Sequence, residues 1–367
     1  MINIPKKMKA LVTHGPHDYR LEEVDVPRAG EGEILLKVAA CGICAGDIKA
    51  YQGGEVFWGN DRKKQYLETP AIGGHEFFGT IVEIGNNLAG KNTYGVADCE
   101  FEVGDLVTPE QIAPCGECLF CREKRYSLCI KHDVFGFKYY LNGGFAEYAL
   151  LPKNALVYKL PKDMPLEKAV LIEPYSCSWH AVERARITTA DLVVISGAGP
   201  LGLGMITAAA MLKPKRLVSL DLNDDRLATA KNFGADTLIN PSKTDVQKEI
   251  LAMTDNYGCD VYIEATGHSS SVTQGLEMIK KGGRFVEFSV FNDSVTCNWS
   301  VVGDDKELDI YGVSLSPRCF PRVIDGIRKG DLKTKDVVTH VIGLDQYEKA
   351  FDLCMSGTQS IKVAFKP

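Results

Sequence analysis

What the sequence is short of narrows the field first. No apolar run reaches the roughly 18 residues that a membrane-crossing helix needs, so the membrane is not expected as a partner. There is no basic excess: 42 Lys and Arg against 48 Asp and Glu leave a net charge of −6 and a pI near 5.7. Such a field does not attract nucleic acid or anionic lipid, so no nucleic acid is expected either. The opening stretch MINIPKKMKALV has no apolar core of a secretory signal, and a cytoplasmic location is expected. Internal repeats and low-complexity tracts are also missing, which leaves ordinary globular domains.

What is present in excess is cysteine. Twelve in 367 residues is high for a chain expected in a reducing compartment, where clustered thiols mean metal or catalysis more often than disulfides. Four are clustered: Cys115, Cys118, Cys121 and Cys129. Cys99, Cys177, Cys259, Cys297, Cys319 and Cys354 are scattered and are expected as buried small hydrophobes.

The length suggests two domains of roughly 150 residues each. To about residue 165 the chain reads as short β-branched runs, such as EILLKVAA and GTIVEIG, punctuated by Gly and Pro. That pattern predicts a β-rich, barrel-like domain. From about residue 190, strands such as LVVIS, RLVSL and CDVYIEAT alternate with helical stretches such as GPLGLGMITAAAMLK, DDRLATAKNFG and SVTQGLEMIKKGG. Alternation of this kind predicts an α/β domain with a parallel, doubly wound sheet. Past about residue 315 the rhythm fades into a tail with one helical stretch and a final strand.

Within the alternating part, SGAGPLG follows a strand and opens a helix. Gly197, Gly199 and Gly202 fit G-x-G-x-x-G, with Pro200 and Leu201 between them. The first glycine permits the tight turn, the second lets backbone approach a pyrophosphate, and the third lets helix and strand pack closely. Asp221 ends the next strand, nineteen residues beyond Gly202. An acid there accepts from both ribose hydroxyls and repels a 2′-phosphate, which favours NAD over NADP. Arg226, one helical turn on, is either a contact to the adenosine ribose or a solvated helix residue.

The clustered thiols read C-x2-C-x2-C-x7-C. Four thiolates so spaced can close around one tetrahedral Zn²⁺, leaving no open position and hence a structural role. Iron–sulfur spacing differs, with a short final gap and a following Pro. Arg122, Lys124 and Arg125 would suit a nucleic-acid zinc module, but the acidic chain argues against it. A second group is looser. AACGICAGDIKAY places Cys41, Cys44 and Asp47 three apart, GGHEFFG sets His75 beside Glu76, and LIEPYSCSWH carries Glu173. The Cys pair by itself is half of a zinc knuckle, a redox dithiol, or one ligand beside a bystander. Cys, His and Glu with one open position describe a catalytic zinc site.

Taken together, GICAGD, GGHEFFG, the four-cysteine stretch, LIEPYSCSWHAVERA and SGAGPLGLG with SLDLNDDRL resemble the zinc-dependent medium-chain alcohol and polyol dehydrogenases over essentially the whole chain. The presence of Glu173, where alcohol dehydrogenases carry Cys, resembles the sorbitol dehydrogenase branch. GPHDYRLEEV, FWG, QIAPCGECLFC and DDKELDIYG further resemble members acting on tetritols. The resemblance implies a GroES-like catalytic domain over 1–170 with a structural zinc lobe at 112–132, a Rossmann domain over 171–314, and a return to the catalytic domain over 315–367. It implies one catalytic and one structural zinc per chain, NAD, a small polyol substrate, and a homodimer or homotetramer. Catalytic zinc would fall to Cys44, His75 and Glu76 or Glu173, with Cys41 a packed thiol. Thr266 joins the expected cofactor residues. The implied reaction is hydride transfer from a secondary hydroxyl to NAD, giving a ketose; L-threonine 3-dehydrogenase or a primary alcohol dehydrogenase is the alternative. One departure stands out. The family carries Ser or Thr at the position of Gly46 and uses that hydroxyl to start a proton relay. Here a water held by Glu173 or Glu76 is expected to take over, with Lys49 further out. Trp58, in the FWG stretch, is expected either to border the substrate channel and limit chain length or to be a core or oligomer contact.

Overall fold

The protein is described from a computed structural model covering residues 3–87, 100–291 and 294–367. It divides into two compact units: residues 1–173, 316–328 and 337–367, and residues 174–315 and 329–336. The return at 315–367 is therefore interrupted. Segment 329–336 stays with the second unit because Lys333 is tied there three times: its N–H donates to Thr207 Oγ1 at 3.1 Å, its Nζ to Asn232 O at 2.6 Å, and its carbonyl accepts from Tyr175 OH at 2.8 Å.

In the first unit, a seven-stranded sheet runs in the order Val338–Ile342, Lys362–Phe365, Ile34–Gly42, Glu76–Ile84, Leu106–Pro109 and Val157–Lys159, with Tyr148–Leu151 also paired to Ile34–Gly42. A smaller sheet holds Asp18–Asp25, Lys7–Gly15 and Ala71–Ile72. Leu35, Ile81, Phe77, Phe145, Phe351 and Phe365 are fully buried among these strands. The apolar, β-branched runs that predict strands here, EILLKVAA and GTIVEIG, fall almost entirely in Ile34–Gly42 and Glu76–Ile84. Register matters for the site: Gly42 lies opposite Glu76 on one side and Ala364 on the other. The tail is more regular than its sequence suggests. It adds a helix, Phe320–Lys329, and a strand, Val338–Ile342, neither expected from local pattern.

The second unit is a six-stranded parallel sheet in the order Thr237–Ile239, Arg216–Leu220, Leu192–Ser196, Cys259–Glu264, Ile279–Glu287, Asp309–Gly312. This is the doubly wound arrangement that the alternation predicts. Helix Asp224–Phe233 closes on Gly234 in the left-handed region, φ 118°, which glycine adopts without Cβ strain. The stretch SVTQGLEMIKKGG is not helical throughout. The helix ends at Met278 and IKKGG enters the next strand. Lys306 stops it, donating to the carbonyls of Leu276, Glu277 and Ile279 at 2.7–2.8 Å.

Among the scattered cysteines, Cys177, Cys259 and Cys319 are buried as expected. Cys297 and Cys354 are half-buried: they pack on the rims of the two cores rather than inside them. Cys99 lies outside the described residues. Among the described residues, no helix is long and apolar enough to cross a membrane.

Candidate active site

Cys44 stands where strand Ile34–Gly42 gives way to helix Ala45–Tyr51. It caps that helix: its Sγ accepts from Gly46 N at 3.4 Å, and Asp47 Oδ2 accepts from Cys44 N at 2.8 Å. This reciprocal cap fixes the thiol's direction. Cys44, His75 and Glu76 then present one ligand atom each within 4.8 Å of one another. His75 and Glu76 are buried, and His75 Nδ1 has no hydrogen-bond partner, with Asp47 Oδ1 3.7 Å away. A half-buried thiol and a buried imidazole and carboxylate gathered around one point, with an orphaned ring nitrogen, make a donor set that suits zinc with an open position. Burial opposes a charge on His75, but Asp47, Cys44 and Glu173 outweigh it and hold the imidazole well above its usual range. A cation is what these acids attract.

Of the two thiols left open by spacing, Cys41 is fully buried, donates to Gly42 O at 3.5 Å, and is pushed well up by burial. It packs; Cys44 faces the other donors. Glu173, buried in the first turn of helix Ile172–Ala185, is outside the three-donor group, although its charge raises both His75 and Lys362.

Lys362 is the residue that sequence reasoning missed. It is 3% exposed, forms an ion pair with Glu76 Oε2, and donates to Ile43 O at 2.9 Å. Desolvation disfavours its charge, but Glu76, then Cys44, prevail and it is pushed up to about 12. The strand register delivers it, because Lys362–Phe365 pairs beside Ile34–Gly42. Gly42 makes the room: a Cβ there would overlap Glu76 Oε2 and approach Lys362 Cε to 2.8 Å. A buried lysine in a tail strand was the one available signal, since SIKVAFKP reads as an apolar strand interrupted by a charge.

Phe57, rather than Trp58, adjoins this cluster. A Cβ on Gly46 would sit 3.6 Å from Phe57 Cζ and 3.7 Å from Cys44 Sγ. Phe57 stacks on Phe137 at 5.2 Å, and Phe137 lies 5.5 Å from the His75 ring. Trp58 is held by its indole N–H to Ala50 O at 2.7 Å.

The second cysteine group is also assembled. Cys115, Cys118, Cys121 and Cys129 bring their sulfurs within 4.8 Å of one another. Backbone N–H groups of Ile130, then Cys121, lower the Cys118 thiol to about 6. All four donors are thiols and none is left over for substrate, which fits a closed structural zinc. The lobe is tied to its unit through Glu110, which accepts from Tyr126 OH at 2.9 Å and also from Tyr158 OH, while Arg318 N donates to Tyr126 OH at 2.8 Å. The Glu110 carboxyl is pushed up to about 7 by its burial.

In the second unit the glycine-rich turn has the form its spacing predicts. Gly197 has φ 104°, and a Cβ there would meet Ala265 O at 2.9 Å and Thr266 Cγ2 at 3.2 Å. A Cβ on Gly202 would overlap Gly197 O, so the helix packs on the turn as the third glycine requires. At Gly199 a Cβ would meet nothing nearer than Arg226 Nη1 at 4.0 Å, leaving backbone open for a phosphate. Pro200 opens helix Pro200–Met211, with Leu201 in its first turn. Asp221 braces the turn: Oδ2 accepts from Ala198 N at 2.7 Å and Oδ1 from Asn223 N at 2.8 Å. Each oxygen keeps a further lone pair for a ribose hydroxyl.

Comparison with known proteins agrees with both halves. Residues 30–162 match the family model of the alcohol dehydrogenase GroES-like domain, and residues 200–329 that of the zinc-binding dehydrogenase. Erythritol/L-threitol dehydrogenase of Mycolicibacterium smegmatis is 48% identical over 99% of both chains. L-threonine 3-dehydrogenase of Pyrococcus horikoshii is 35% identical, covering 98% of this chain and 99% of that one. Sorbitol dehydrogenase of Bacillus subtilis is 31% identical, covering 99% and 98%. Among solved structures, an Escherichia coli alcohol dehydrogenase complexed with NADH superposes with a TM-score of 0.84 at 28% identity, over 99% of this chain and 100% of that one. With both domain models matched and relatives this similar along the whole length, the chain belongs to the zinc-dependent, NAD-linked medium-chain alcohol and polyol dehydrogenases.

Proposed function

We propose that the protein oxidises a secondary hydroxyl of a short sugar alcohol, a tetritol such as erythritol or L-threitol, to the ketose, with Cys44, His75, Glu76 and Glu173 serving the metal and the substrate. The observation that carries this is the Cys44–His75–Glu76 group, near which Glu173, whose charge acts on His75, supplies a second carboxylate in place of a thiol. Zinc held by these residues would polarise the substrate hydroxyl, and NAD held at the glycine turn would take the hydride. Glu173 lies outside the three-donor group, and in this reading it holds the water or hydroxyl at the open position and takes its proton. Gly46 supports that reading. Its Cβ position is in ordinary contact distance of Phe57 and Cys44, so Gly46→Ser fits without a clash and brings nothing the enzyme lacks. Gly46→Ser should therefore cost less than about tenfold in kcat, while Glu173→Gln should cost about a hundredfold, within the range of general acid–base help, and change the pH–rate profile. A severe Gly46→Ser with a mild Glu173→Gln would overturn the relocated relay.

Phe57 and Phe137 wall the metal group, and we assign the limit on chain length to them. A panel of four- to six-carbon polyols with NAD, followed by NADH absorbance, tests the substrate class. Phe57→Ala should raise relative activity on hexitols by about tenfold, since a pocket discriminates only modestly by apolar volume; an unchanged ranking would return Phe57 to the core. L-threonine belongs in the same panel, because threonine dehydrogenases are among the relatives.

Gly197, Gly199, Pro200, Leu201, Gly202, Asp221, Arg226 and Thr266 make up the cofactor site in this reading. Wild type should prefer NAD over NADP by about a hundredfold in kcat/KM, near 2.7 kcal/mol. Asp221→Ser removes the charge and also the brace on Ala198 N, so it should weaken NAD as well as relax the preference; equal efficiency of wild type with both cofactors would refute the assignment. A cytoplasmic homodimer or homotetramer completes the proposal on family resemblance, and sedimentation of the purified protein tests the assembly.

A further inference from the structure

Two acids in the second unit, Glu264 buried and Glu287 half-buried, take no part in the turn or the metal group. Glu264 and Glu287 end neighbouring parallel strands and are register partners across them. Glu264 is fully buried and fully engaged, accepting from Thr266 N at 2.8 Å, Thr266 Oγ1 at 2.5 Å and Gly267 N at 3.1 Å. Glu287 is different. Its Oε1 is shut from solvent with no hydrogen-bond partner, the condition that a buried carboxylate avoids unless something else satisfies it.

Position says what that something is. In a doubly wound sheet, ligands bind outside the carboxyl ends of the strands where the order reverses. Here the order reverses about Leu192–Ser196. Asp221 ends the strand on one side of it, and Glu264 and Glu287 end the two strands on the other. A dinucleotide that places its adenosine ribose at Asp221 and its pyrophosphate at the glycine turn must extend its nicotinamide half over the side that carries Glu287. We propose that Glu287 senses the redox state of the nicotinamide, giving its proton to solvent when the oxidised, cationic ring binds and keeping it when the reduced, neutral ring binds. The balance is simple: the carboxylic acid becomes a carboxylate plus one solvent proton, and the new negative charge offsets the ring's positive one.

The surroundings suit this. Burial, then the charge of Glu264, pushes the Glu287 carboxyl up to about 7, with the Ser289 N–H opposing. On the far side its register partner is Gly312, which carries no charge. No basic side chain is among the groups that set its proton affinity, so a cation arriving at the strand ends finds an acid poised to ionise.

The sign follows. An ionised Glu287 favours NAD⁺, so NAD⁺ should bind more tightly as pH rises through about 7, and NADH should not. The ratio of the NADH to the NAD⁺ dissociation constant should rise by about tenfold between about pH 5.5 and about pH 8.5, the size of a one-unit linkage. Zinc-loaded enzyme titrated calorimetrically in two buffers of different ionisation enthalpy counts the protons released. The metal site also exchanges protons, so the readout is the difference between wild type and Glu287→Gln. The variant should release fewer protons on NAD⁺ binding and show a flatter ratio. Glu264→Gln should move the midpoint to lower pH by removing the neighbouring charge, and it serves if Glu287→Gln fails to fold. Superimposable wild-type and Glu287→Gln profiles, or an unmoved Glu264→Gln midpoint, overturn the proposal. Wild type binding neither cofactor form would overturn the NAD reading instead.

Discussion

Cys118→Ser should leave one zinc per chain in place of two and lower stability by about 4 kcal/mol or more, since loss of a bound metal belongs among the largest single-residue effects. The lobe has little apolar packing to hold it. Leu119 and Ile130 are exposed there, and the buried anchor is Tyr126, held by Glu110 and the Arg318 N–H. Without the metal, three thiols remain in a space shaped for four, and the lobe is left to the Tyr126 anchor and a few hydrogen bonds, Asn154 Nδ2 to Pro114 O at 2.9 Å and Arg318 Nη2 to Lys124 O at 2.7 Å. Metal analysis combined with denaturant unfolding checks this. Full stability with one zinc missing would mean that the lobe folds on its anchor, and the metal would lose its structural role. The effect should reach activity only through unfolding, because no donor of the lobe belongs to the Cys44 group.

Lys362→Met should cost about 3–5 kcal/mol, the penalty for removing one partner of a buried ion pair. Glu76 would then keep its charge, 2% exposed, with its cationic partner gone. Methionine matches the aliphatic stem, so the loss reports charge rather than volume. The expected phenotype is double: lower stability by denaturant unfolding, and altered occupancy of the catalytic zinc, because Glu76 freed from Lys362 turns toward the metal. Glu76→Gln in the same chain should recover part of the stability, since it removes the stranded charge. A single variant as stable as wild type, with two zincs bound, would show that the metal alone satisfies Glu76.

Sequence and structure contributed different things. The cysteine lobe and the glycine turn were legible because each is local: all four sulfurs fall within fifteen residues, and the turn, its helix and Asp221 within twenty-five. Chemistry confined to such short spans is written in spacing. The doubly wound sheet was legible for a related reason, since alternating strands and helices leave few alternatives to parallel pairing. The tail was not. Phe320–Lys329 is fixed by contacts far back in the chain, Phe320 stacking on Tyr158 at 5.1 Å, and Val338–Ile342 by pairing with the final strand Lys362–Phe365.

The same division runs through the site. Sequence alone determined that one thiol lobe and one dinucleotide turn exist, and family resemblance singled out Cys44, His75, Glu76 and Glu173. Only the tertiary structure could join residue 362 to residue 76, because strand register, and not spacing, sets which side chains meet. It likewise decided that Phe57 and not Trp58 lies against Gly46, since a ring's direction follows from its backbone and its stacking partner. It also left Glu287 Oε1 without a partner, a fact about burial and hydrogen bonding that no linear pattern records.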